Sequence, residues 1–321
     1  MKRANWITVV GAAAVAALGM LAAAARAEEG GSGHYAPGAA ASFVDALPVK
    51  PGWAVASYSM YYTGSAGATR ALPIGGQVTF GLKAKAYAET VLALYQTPLK
   101  LLGGDCAFGI AVPFLRMDAD GSITGPLGNT IAVNDSASGL GDVILYPFML
   151  GWVKGDLKYD VRLGVYAPTG AYDKGRLANL GKNYWTLEPT VSVSWLSSKI
   201  GTEVSAYAGM DFNTTNDATQ YRSGDVLHID ATIAQHLPVG KLGVIGLGAN
   251  GFFYKQITGD SGAGAVLGDF KGRTEGIGPV LSLITKVGHA NLAAELKWLK
   301  ETSVENRVKG DTYFLKIGVA F

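Results

Sequence analysis

The sequence predicts an all-β fold: a transmembrane antiparallel β-barrel of about twelve strands, preceded by a cleaved N-terminal signal peptide. Three observations predict it. Residues 1–27 have the layout of an export signal, several later segments alternate apolar and polar residues, and the connections between strands are alternately long and short.

Lys2 and Arg3 precede an apolar run from Trp6 to Ala25, and Ala25-Arg26-Ala27 offers small residues where a signal peptidase reads them. Cleavage is expected after Ala27. An anchor helix is the rival, because the run is just long enough to span a bilayer. The Ala-rich core and the acidic Glu28-Glu29 that follows favour removal. Beyond it no run of about 18 apolar residues occurs, so no spanning helix is expected in the mature chain. Composition agrees. Charged residues are 16% of the chain and glycine numbers 44, against about 25% charge in soluble domains. The net charge of +2, with no basic run, argues against nucleic acid. Cys106 is the sole cysteine, so no intrachain disulfide can form, and it reads as a small apolar strand residue.

Strands are expected near 53–62, 84–96, 105–117, 140–153, 157–168, 184–197, 201–213, 224–237, 241–257, 273–287, 290–300 and 311–321. The last sets Tyr313, Leu315, Ile317, Val319 and Phe321 against Thr312, Phe314, Lys316, Gly318 and Ala320. Residues 184–195 set Trp185, Leu187, Val191, Val193 and Trp195 against Tyr184, Thr186, Glu188, Thr190 and Ser192. A period of two over about ten residues excludes an amphipathic helix, whose period is 3.6. Segments 53–62, 140–153 and 241–257 alternate poorly, so ten or fourteen strands stay open.

Alternation would also suit a soluble sandwich. Aromatics at strand ends (Trp185, Trp195, Trp298, Tyr313, Phe321) instead match the interfacial girdles of a membrane barrel. Long connections at 63–83, 118–139, 169–183, 214–223, 258–272 and 301–310 alternate with short ones, as external loops and periplasmic turns do. The expected domains are a signal peptide (1–27), a segment lying as a plug or free in the periplasm (28–52), and the barrel (53–321).

With apolar faces toward lipid, the opposite faces line the interior. The candidate lumen-lining residues are Lys85, Glu89, Lys158, Asp160, Arg162, Glu188, Glu203, Asp211, His228, Asp230, Glu295, Lys297 and Lys316. Isolated buried ions cost several kcal/mol, so these side chains meet water or one another. Either they brace the wall or they border a solute path. Inward or mouth aromatics (Tyr87, Phe252, Tyr254, Phe314) are the candidate solute contacts.

Several stretches resemble the family of outer-membrane transporters labelled "putative MetA-pathway phenol degradation". They are Glu29-Gly30-Gly31-Ser32-Gly33-His34-Tyr35 with Pro37-Gly38, and Leu140-Gly141-Asp142 with Pro147 and Gly151-Trp152. Others are Ala167-Pro168-Thr169-Gly170-x-Tyr172-Asp173, Asn183-Tyr184-Trp185-Thr186 with Pro189, and Tyr221-x-Ser223-Gly224 with His228-x-Asp230. Gln256-x-Thr258-x-Asp260-Ser261-Gly262 and Gly276-Ile277-Gly278-Pro279 complete the set. The resemblance implies a Gram-negative outer-membrane barrel, related in type to fatty-acid and hydrocarbon porins, that takes up small hydrophobic or aromatic compounds. It carries over no individual binding residue. The implied partners are outer-membrane lipids, those solutes and the barrel-assembly machinery during biogenesis.

A closed structural or adhesive barrel is the alternative. An enzyme is not expected: a phospholipase-type barrel needs a Ser-His pair at the lipid-facing rim, whereas His228 and His236 fall on an inward face. No cofactor or metal is expected either, since Asp173, Asp217, Asp225, Asp260 and Asp269 lack EF-hand spacing.

Overall fold

The fold is that of a computed structural model describing residues 29–320 except 49, 69, 125–129, 270 and 289. The expected signal peptide, Glu28 and Phe321 lie outside the described residues. The strands are β1 (Gly52–Ser65), β2 (Ala71–Ile74), β3 (Gln77–Leu101), β4 (Gly104–Thr124), β5 (Thr130–Leu140), β6 (Val143–Lys154) and β7 (Leu157–Ala167). They continue as β8 (Thr186–Leu196), β9 (Thr202–Asn213), β10 (Val226–Pro238), β11 (Val244–Gln256), β12 (Arg273–Val287), β13 (Ala290–Glu305) and β14 (Lys309–Ala320).

Twelve of these strands, all but β2 and β5, form a closed antiparallel ring among the described residues. Closure is made by β1, which pairs with β3 on one edge and β14 on the other; Tyr61 faces Tyr87 and Tyr313 across the two seams. A closed ring leaves no open edge, so the backbone bonds are satisfied within the sheet, as a spanning structure requires. The shortest wall strands, β7 and β8, have 11 residues, within the roughly 9–11 needed to cross hydrocarbon at a tilt.

The alternating faces point as the period of two dictates. On β8, Leu187, Val191, Val193 and Trp195, with Trp185 just before the strand, are exposed on the outer wall, while Thr186, Glu188, Thr190 and Ser194 are buried inward. Aromatic pairs mark both rims of the outer wall. Trp298 stacks on Tyr313 at 6.2 Å near the long connections, and Trp53 meets Tyr95 at 5.1 Å near the short turns.

Two expected loops are instead ordered hairpins. Strand β3 has 25 residues and β4 has 21, so both rise past the end of β1, which meets β3 only from Lys83 to Gln96. There β2 pairs back on β3, and β5 pairs with β4 from Phe114–Leu140 to Thr124–Thr130. The reason is burial. Leu72, Ile74, Leu82 and Ala119 from this flap form one core with Leu177, Ala178 and Val308 from other connections. The expected strand 140–153 is likewise split at Gly141-Asp142. There Gly141 N–H still donates to Pro113 (2.8 Å), while the Asp142 carboxylate accepts from Gly170 and Lys182 N–H.

Candidate functional site

Residues 29–48 run through the barrel interior, from the long-loop end to the short-turn end near the start of β1. At the first end the Glu29 carboxylate accepts from Tyr172 Oη (2.9 Å), Asn216 Nδ2 (2.9 Å) and Thr219 Oγ1 (3.2 Å). Burial, followed by the Glu29 charge, raises the Tyr172 phenol pKa. Further along, His34 bridges Asp142 (2.9 Å) and Thr186 (2.7 Å). Asp230 takes the Tyr35 hydroxyl and the N–H groups of Gly38 (3.1 Å) and Ala40 (3.0 Å). Glu203 takes the Phe43 N–H at 2.8 Å. At the far end Asp45 receives both Lys316 (2.8 Å) and, through its backbone oxygen, Arg162.

The segment can lie this close because its sequence is small: Ala36, Ala39, Ala40 and Ala41 surround Gly38, which has φ +84°. A Cβ on Gly38 would sit 2.1 Å from Leu299 Cδ1.

Eleven of the thirteen expected lumen-lining residues face inward: Lys158, Asp160, Arg162, Glu188, Glu203, Asp211, His228, Asp230, Glu295, Lys297 and Lys316 lie on the inner faces of β7–β10, β13 and β14, and the other two, Lys85 and Glu89, are on β3.

 Lys158 sits at the short-turn rim beside Leu47 and Pro48, and the other ten lie deeper in the lumen. Most of them find partners. Arg162 donates to Asp160 (2.6 Å), Lys297 pairs with Glu295 at 3.2 Å and donates to the Ala40 oxygen (2.8 Å), and His236 meets Glu203 at 2.8 Å.

Lys85, Glu89 and Tyr87 are corrections. All three sit on the outer face of β3: Lys85 is exposed, Tyr87 is 49% exposed against Tyr61, and Glu89 accepts from the outer-face hydroxyls of Ser57 and Ser59. The inward face of β3 carries Ala86, Ala88, Thr90, Leu92 and Leu94, so the charged face is the one turned outward. Of the other three aromatics, Phe314 borders the open part of the lumen. Phe252 and Tyr254 are covered by Ala36–Ala41.

That open part is a cavity of about 290 Å³ between the internal segment and β1, β3, β4, β6 and β7. Its wall is apolar through Met60, Leu92, Ala111, Leu115, Ile144 and Met149, and its polar groups include His34, Asp45, Asp142, Arg162, Lys182, Glu188 and the phenols of Tyr58, Tyr146 and Tyr166. The internal segment thus binds the charged half of the ring and leaves the apolar half uncovered. None of the apolar residues was singled out from sequence. The available signal was the poor alternation of 53–62 and 140–153, whose inner faces are apolar too.

Glu188, Asp211 and His228 form a separate buried group on neighbouring strands, with His228 Nε2 3.1 Å from Glu188 Oε1 and 3.5 Å from Asp211 Oδ1.

A family profile described as "Putative MetA-pathway of phenol degradation" matches residues 68–317. Among solved structures, an outer membrane channel from Pseudomonas putida F1 aligns with a TM-score of 0.66 at 18% identity, covering 87% of this chain and 98% of that one. That likeness shows the fold. The β domain of the Bordetella autotransporter BrkA aligns more loosely, at 0.46 and 12% identity over 85% of this chain and 100% of that one. No curated protein matches the sequence.

Proposed function

Because this chain belongs to the family described as "Putative MetA-pathway of phenol degradation", we propose that it is a Gram-negative outer-membrane channel for uptake of small hydrophobic compounds, aromatic ones included. The proposed role is passive and involves no catalytic step. Long connections face the exterior and short turns the periplasm, as in other outer-membrane barrels.

The observation that carries the reading is the cavity of about 290 Å³, apolar on its β1–β6 side and polar at His34, Arg162 and Tyr146. Ligand pockets run from about 300 Å³ upward, with apolar walls and a few placed polar groups. This one is at the small end, which suits a single-ring solute with one hydroxyl or carboxyl. Passage requires residues 29–48 or the outer flap to shift.

Uptake of labelled phenol and benzoate into proteoliposomes tests this. Leu115→Trp fills the cavity from its apolar wall and is expected to cut uptake at least fivefold while the barrel stays folded. Unchanged uptake in that variant sinks the proposal. A second reading, a closed structural barrel, is favoured by the dense bonding of residues 29–48 to the wall. Absence of both conductance and uptake in the unaltered protein would establish it instead.

A further inference from the structure

We propose that Glu188, Asp211 and His228 bind one divalent transition-metal ion, with Zn²⁺ the best fit. The three residues project inward from adjacent strands β8, β9 and β10, so the rigid wall positions them.

The first argument is geometric. Candidate donor atoms of all three lie within 4.8 Å of one another, with the two measured separations from His228 Nε2 at 3.1 and 3.5 Å. Tetrahedral Zn²⁺ holds nitrogen and oxygen at about 2.0–2.2 Å, which places neighbouring ligand atoms about 3.3–3.5 Å apart. Three protein ligands leave a fourth position for water or another oxygen.

The second argument is polar accounting. Other buried carboxylates of the lumen have fixed donors: Asp142 takes two backbone N–H groups, Asp230 two and a phenol, and Asp160 an arginine. Asp211 is 1% exposed, yet neither of its oxygens accepts a hydrogen bond, and Glu188, whose Oε2 takes the Tyr166 hydroxyl, turns Oε1 to the same His228 Nε2 that faces Asp211. Two buried carboxylates facing one imidazole carry an excess of negative charge that a divalent cation would cancel.

The third is space. A Cβ on Gly209 of β9 would lie 2.6 Å from His228 Nε2, so the glycine keeps the imidazole edge clear. Tyr35 lies on the face of that ring at 3.8 Å and covers the site from within the barrel. A bound ion would therefore fix the wall on which the internal segment rests.

The test uses the full chain without an affinity tag, refolded into detergent with Zn²⁺ present and then passed over a sizing column. Metal content is read by atomic emission, and folding by heat-modifiable gel mobility. One zinc per folded chain is expected. The double variant Asp211→Asn/His228→Gln is expected to retain less than a fifth of that, while His34→Gln/His236→Gln retains it all. Folded wild-type protein without zinc overturns the proposal whatever the variants do. So does a folded Asp211→Asn/His228→Gln protein that keeps its zinc.

Discussion

The Tyr35 ring lies flat on the His228 imidazole, 3.8 Å between centroids and 14° between planes, while its hydroxyl donates to Asp230 two residues along the same strand. Tyr35 thus joins the internal segment to β10 by a face and by an edge. Asp230 completes the joint by accepting the Gly38 and Ala40 N–H groups.

Asp230→Ala removes the acceptor of all three donors. Each buried donor left unpaired costs about 1–3 kcal/mol, so the segment near 35–40 is expected to detach before the barrel unfolds. Single-channel recording should then show a larger or more frequently open pore than the wild type. An unchanged trace would mean that these bonds do not hold the segment.

Gly38→Val places a β-branched side chain at φ +84° and drives its Cβ into Leu299. Backbone strain of about 1–3 kcal/mol adds to the clash. Protease sensitivity between residues 30 and 50 should rise, with little change in the heat-modified mobility of the barrel.

Lys316 holds both Asp45 at 2.8 Å and Glu295 at 3.3 Å. Lys316→Met leaves those carboxylates short of a cation, and breaking a buried pair costs about 3–5 kcal/mol. Urea unfolding in detergent should show that loss, and Lys316→Met/Asp45→Ala should recover part of it. A double variant no better than the single one would count against the pairing.

Glu89→Leu tests which way β3 faces. A lipid-facing carboxylate bonded to Ser57 and Ser59 is replaced by an apolar side chain suited to that face. Stability should be unchanged or higher by up to about 2 kcal/mol, with uptake unaffected. A marked fall in uptake would return Glu89 to the lumen.

The connection 168–185 is latched by Arg176, which donates to Asp135 Oδ1 at 2.6 Å. Arg176's hydrogen bonding pulls the Asp135 carboxyl below its ordinary value. A depressed carboxyl pKa contributes stability above the unfolded-state value, and that stability is lost as pH falls through the folded one. Hydrogen exchange in 168–185 should therefore stay constant from pH 8 to about 5 and quicken below about 4. In Asp135→Asn the fast exchange should already be present at neutral pH.

The sequence by itself determined the barrel. Each of the twelve expected strands falls on one wall strand of the ring, with β3 and β4 running longer and 140–153 broken after Leu140, because a lipid face and a polar face impose a period of two that is written residue by residue. It also determined which faces of β7–β10, β13 and β14 turn inward, where charge and apolarity alternate cleanly. On β3 it misled: Ala86, Ala88, Leu92 and Leu94 are inward, and Lys85, Tyr87 and Glu89 are outward. No period can distinguish two faces when the lumen beside one of them is itself apolar. Only the tertiary structure decided that residues 29–48 fill one half of the lumen, that Leu72, Ile74, Leu82 and Ala119 of the flap pack as a core, and that Glu188, Asp211 and His228 meet. Those arrangements join residues far apart in the chain, through barrel closure and through a segment with no periodicity of its own.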